Sequence, residues 1–143
     1  MKRIIISAIV IAAVIILIVV ACGGSGSKFA VTPAGTWNFT VSAAPKDVLG
    51  QYSITQSTAG TYVITAKTAI KVPPGNCSLP PGTKEGTLSK AGGHYSGSEK
   101  GWNPSTCASV NTTAFTATLS GGGNVMTIKD ASLEPISVIL TRG

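Results

Sequence analysis

The sequence predicts an all-β domain: eight antiparallel strands in up-and-down order, closed as a barrel, behind an N-terminal signal or anchor helix. Three observations carry this. Apolar residues alternate with polar ones at period two through most of the body. Short glycine-containing links alternate with longer, mostly proline-bearing loops. The one long apolar run lies at the very start of the 143 residues.

Lys2 and Arg3 give that run a positive start, and residues 4–20 are apolar except for Ser7, which is the anatomy of an export signal. It ends in Val19-Val20-Ala21-Cys22, which resembles the bacterial lipoprotein lipobox: an aliphatic residue, a variable one, a small one, then cysteine. The resemblance implies cleavage before Cys22, a lipid on its thiol, and a membrane as the first partner. Gly23-Gly24-Ser25-Gly26-Ser27 follows as a flexible tether. The expected organisation is a signal peptide over 1–21, lipidated Cys22 and tether over 22–33, and a barrel over 34–143. The alternative is an uncleaved spanning helix with Cys22 a bystander. Both readings put the domain in the cell envelope, outside the cytoplasm.

Strands are expected at 35–42 (Trp37, Phe39 and Val41 on one face), 50–57 (Tyr52, Ile54) and 61–72. In the last, Tyr62, Ile64, Ala66, Thr68, Ile70 and Val72 share a face. Five more follow at 84–90, 94–100, 113–119 (Phe115, Ala117, Leu119), 124–129 (Met126, Ile128) and 136–141 (Ile136, Val138, Leu140). The links at 58–60, 91–93 and 120–123 read as tight hairpins. Those at 43–49, 73–83, 101–112 and 130–135 are longer. In a meander all short links fall at one end and all long loops at the other. The same residues also allow a β-sandwich.

With Cys22 assigned to lipid, Cys77 and Cys107 remain as an even pair in two loops of the same end, and a disulfide between them suits an oxidising compartment. The first strand begins and the last one ends at the opposite, short-hairpin end, so the stapled loops point away from the anchor.

Gly35-Thr36-Trp37 at the head of the first strand resembles the G-x-W signature of the lipocalins and wider calycins. The resemblance implies an eight-stranded, lipocalin-like barrel whose base is plugged by Trp37, with Arg142 lying across the ring by cation–π attraction. It also implies a small apolar ligand in or at the mouth of the barrel.

Composition narrows the function. Lys2 and Arg3 aside, nine basic residues face five acidic ones and a single histidine. That balance lacks the concentrated charge of a nucleic-acid binder and leaves little material for acid–base catalysis. His94 has no neighbouring nucleophile or ligand in sequence, so neither an enzyme nor a metal or cofactor site is expected. Gly121-Gly122-Gly123 lacks the Lys and Ser/Thr of a phosphate loop and reads as a turn. Trp102, in the 101–112 loop, is the candidate rim aromatic. Two functions stay open: an anchored binder of a small apolar ligand, or a solid barrel meeting an envelope protein or the cell wall through its stapled loops.

Overall fold

The computed structural model describes residues 31–130 and 136–143. The signal segment, Cys22 and most of the tether lie outside the described residues. The folded unit is Thr32–Gly143. It is all-β: β1 (Gly35–Val41), β2 (Gly50–Thr58), β3 (Thr61–Ala66), β4 (Ile70–Val72), β5 (Cys77–Leu79), β6 (Lys84–Ala91), β7 (His94–Trp102), β8 (Ser109–Ser120), β9 (Val125–Asp130) and β10 (Val138–Arg142). Eight of these close a barrel in the order β1-β10-β9-β8-β7-β6-β3-β2, with all pairs antiparallel. The meander closes where Trp37 meets Arg142 and Val41 meets Val138. Closure leaves no strand edge of the barrel unpaired.

Alternation explains the two faces. Inward positions hold Trp37, Phe39, Ile54, Tyr62, Ile64, Leu88, Tyr95, Phe115, Met126 and Leu140, all buried. Outward positions are largely hydroxyl-bearing: Thr61, Ser89, Ser96 and Thr116 are paired in one row across β3, β6, β7 and β8. Aromatic rings pair within the interior. Phe39 and Tyr52 lie 5.3 Å apart, and Tyr62 and Tyr95 meet edge-on at 6.0 Å. Gly97 leaves its inward position to the Phe115 ring, which a Cβ there would strike.

One strand departs from expectation. The segment 61–72 is not continuous: it leaves the barrel after Ala66 and resumes as β4, which pairs with β5 in a separate two-stranded sheet. The ladder on β6 ends at its first residue, Lys84, paired with Thr65, and on the β2 side the Lys67 and Thr68 amides both donate to the one Gln51 carbonyl, which breaks the regular pairing after Ala66. Thr68 turns out to accept a hydrogen bond from the Gln51 amide, while Ile70 and Leu79 pair across the small hairpin and are buried. β8 is longer than the expected 113–119, because β7 stays paired with it as far as Trp102 and Ser109.

Candidate functional site

The two ends of the barrel are built from different chemistry. At the base, the short hairpins gather around Trp37, which is fully buried and donates its indole N–H to the Pro33 carbonyl at 2.7 Å. The Arg142 guanidinium lies over the Trp37 ring, 4.4 Å from the centroid. Its nitrogens donate to three carbonyls: Gly123 at 3.0 Å, Ala34 at 2.5 Å and Thr32 at 2.7 Å. One side chain thus ties the incoming chain, the β8–β9 turn and the last strand together. Gly35 adopts φ 138°, and a Cβ there would overlap Arg142 Nη1, so glycine is what lets the guanidinium reach its carbonyls. This end is a structural lock.

The opposite end carries the long loops. Cys77 and Cys107 are joined in a disulfide, with Cα atoms 5.2 Å apart. Beside it the Cys77 amide donates to the Pro104 carbonyl at 2.9 Å, so the β4–β5 hairpin is bound to the β7–β8 loop by a covalent and a hydrogen bond. Asn103 organises that loop, its side-chain oxygen accepting from the amides of Ser105 and Thr106. Trp102 packs partly against the core at this end and points its indole N–H at Glu85 Oε2, 2.9 Å away. Lys100 Nζ stands 5.8 Å from the Trp102 ring centroid.

Beneath Trp102 lies a group the sequence reading did not single out. Glu85, Glu99 and Asp130 sit on β6, β7 and β9 with Tyr52 of β2 among their neighbours. Glu85 and Asp130 are buried. Asp130 Oδ2 accepts from the Thr113 hydroxyl at 2.8 Å, whereas Glu85 Oε1 is buried with no hydrogen-bond partner. Burial first, then the charges of Asp130 and Glu85, push the Glu99 carboxyl from 4.5 up to about 7. Burial also raises Glu85, against the lowering pull of the Trp102 hydrogen bond and of Lys100. Tyr52 is raised well above 10 by burial, with Glu85 and Glu99 adding to it.

Local backbone geometry creates the cluster. Glu99 continues the inward row Tyr95-Gly97, and Asp130 continues Met126-Ile128, so ordinary alternation carries both inside. Glu85 needs a bulge. Ile64 pairs with Gly86 and Thr65 with Lys84, which leaves Glu85 as the extra residue of β6. The bulge turns its side chain off the outer face, where strict alternation from Leu88 would have put it. A shallow recess of about 210 Å³ is lined by Glu85 and Glu99 together with Lys84, Lys100, Thr87 and Ser98 among others.

His94 is exposed at the start of β7, at the base end, away from these groups. Among the described residues no group of three His, Cys, Asp or Glu side chains is spaced to hold a metal ion. No family model matches the chain, and no curated protein or solved structure does either.

Proposed function

We propose that the chain is an exported bacterial lipoprotein, held to a membrane through a lipid on Cys22, whose lipocalin-like barrel is a non-catalytic binding module working at its loop end. The observation that carries this reading is the contrast between the ends. The base is closed by Trp37 and Arg142, while the other end gathers a disulfide-stapled hairpin, a partly exposed tryptophan and a buried glutamate with one oxygen unbonded. Loops fixed on a rigid scaffold are the common place for recognition. The side chains that fill the barrel favour recognition at the mouth over a deep apolar ligand, because a packed eight-stranded barrel has little interior left. The lipobox-like 19–22 segment and the Gly/Ser tether supply the anchor, and the disulfide is in keeping with an oxidising envelope compartment.

Metabolic labelling with an alkyne fatty acid tests the anchor. Wild-type protein should take up the label, and Cys22→Ala should not. Equal labelling of both would reject it. Accessibility tests the face: on cells opened at the outer barrier, an antibody against residues 73–83 should bind better than one against the 91–93 turn. The reverse order would place the working end at the base.

A further inference from the structure

The β4–β5 hairpin belongs to no barrel ladder, yet it spans the barrel's mouth. In the ring of strands, β2 and β8 stand opposite each other, with β3, β6 and β7 between them on one side and β1, β10 and β9 on the other. The hairpin reaches from one wall to the other. At its near end the Lys71 amide donates to the carbonyl of Leu49, just before β2, at 2.8 Å. At its far end Cys77 is bonded to Cys107, which closely precedes β8, and donates its amide to the Pro104 carbonyl at 2.9 Å. A Cβ on Gly75, in the tip, would overlap that Pro104 carbonyl, so the tip lies flush on the β7–β8 loop.

The inner face of the hairpin plugs the opening. Gly50 pairs with the inward residue Phe39, and the room left by its missing side chain is taken by Ile70 Cδ1. Ile70, Cys77 and Leu79 are buried in one apolar cluster with Phe39 and Ile54. The outer face, Lys71 on β4 and Ser78 on β5, is exposed.

We propose that this hairpin is a lid on the mouth of the barrel, latched by the Cys77–Cys107 disulfide and released when an external dithiol reduces it. Its feet are fixed independently of the latch. On one arm the Lys67 and Thr68 amides donate to the Gln51 carbonyl; on the other, Gly82 donates to the Ala66 carbonyl at 2.8 Å and Ala66 to the Thr83 carbonyl at 2.9 Å. Between feet and hairpin, Ala69 and Pro80-Pro81 are exposed, so rotation there breaks no barrel ladder. Cys107 is held at φ 58°, a left-handed conformation that residues bearing a side chain rarely adopt, and once the bridge is cut no covalent bond holds it there. It is also the accessible half of the latch, partly exposed where Cys77 is buried.

Release is ordinary thiol–disulfide exchange. A thiolate of the dithiol attacks the Cys107 sulfur, the S–S bond breaks, and Cys77 leaves as a thiolate that takes a proton from water. The second thiolate of the reductant then attacks the mixed disulfide and frees Cys107 in the same way. Two electrons pass to the protein, which ends with two thiols, and the dithiol ends as a disulfide. Opening vacates the inward space over Gly50 and the seat of Leu79, so an apolar surface becomes accessible at this end in the reduced state. The inference rests on the loop end being the working face, whose access the lid would regulate.

Methyl and amide NMR of the detergent-purified full chain, first oxidised and then reduced with dithiothreitol, tests it. On reduction the Ile70 and Leu79 methyls and the Lys71 amide should lose their native shifts, while the Ile54 and Leu140 methyls and the Trp37 indole N–H keep theirs. Re-oxidation should restore the first set. The double variant Cys77→Ser, Cys107→Ser should show the released pattern without reductant; if it fails to fold, reduced wild type decides alone. Native Ile70 and Leu79 shifts in the reduced chain would make the hairpin a fixed cap. Loss of the Ile54, Leu140 and Trp37 signals along with them would make it part of the barrel core, and a disulfide that dithiothreitol leaves intact in the folded protein would remove the latch. Each of these overturns the proposal, and none touches the antibody comparison of 73–83 with 91–93, which tests the working face separately.

Discussion

Replacing Glu99 by glutamine should make the barrel more stable at pH 8 and remove much of its pH dependence. In the unfolded chain this carboxyl titrates near 4.5; in the barrel it titrates near 7. Between those values the folded state holds a proton that the unfolded state has released, so stability falls as pH rises through the window. Below about 4.5 the difference vanishes, and above 7 the full cost is present. Carrying one carboxyl across that interval corresponds to about 3 kcal/mol, and the solvent contact that Glu99 retains reduces this to about 2–3 kcal/mol. Glu85, also raised, adds in the same direction. Urea denaturation at pH 5, 6, 7 and 8 measures it: the wild-type midpoint should fall with pH at constant slope, and Glu99→Gln should lie above wild type at pH 8. A wild-type stability that is flat or rising from pH 5 to 8, or a variant that follows the same curve, would refute the reasoning.

At the base, Arg142→Ala removes a cation–π contact and leaves three carbonyls without their donor. It should cost about 3 kcal/mol in the same assay. Arg142→Lys should recover only part of that, because a single ammonium cannot serve three separated carbonyls as a guanidinium fork does. Reducing the disulfide, or replacing both cysteines by serine, should cost about 3–4 kcal/mol for a 30-residue separation, and proteolysis should then cut first within 67–83. Trp102→Phe keeps the ring and deletes the N–H, so Glu85 loses its observed side-chain donor. The expected cost is about 1–2 kcal/mol at pH 8 and less at pH 5, read by denaturation at both.

The strands were legible because each buries one face only, so a period of two is written directly into residues such as Tyr62-Ile64-Ala66 and Met126-Ile128. Loop order was legible for a related reason: tight hairpins need glycine, and long connections do not. Trp37 and Arg142 were readable as partners at the base, and the structure stacks them there. What alternation does not encode is where a strand runs out of neighbours. Nothing in Thr61 to Val72 marks the break after Ala66, because it lies in the pairing itself: β6 begins at Lys84 opposite Thr65, and two successive amides, of Lys67 and Thr68, fall on the one Gln51 carbonyl. The carboxylate cluster was half legible. Glu99 and Asp130 each extend an apolar inward row, a signal present in the sequence, whereas Glu85 is brought inside by a bulge that only the pairing of β3 with β6 reveals.

The asymmetry between the two ends bears on why the carboxyls are there at all. At the base every polar group of the Trp37–Arg142 lock that reaches inside is matched: one indole donor to one carbonyl, one guanidinium to three. The same chain, with the same inward alternation, had only to place Gln at 99 and an apolar residue at 85 to make the mouth equally inert. It instead carries groups that repel one another and an oxygen that nothing satisfies. Sites of this kind lower stability, and they recur where binding requires charge poised in a desolvated place. On the proposed reading, the disulfide and the Arg142 lock offset that cost. They hold the two ends of a small barrel rigid around carboxyls that burial and mutual repulsion disfavour, and the stabilisation expected of Glu99→Gln measures that cost directly.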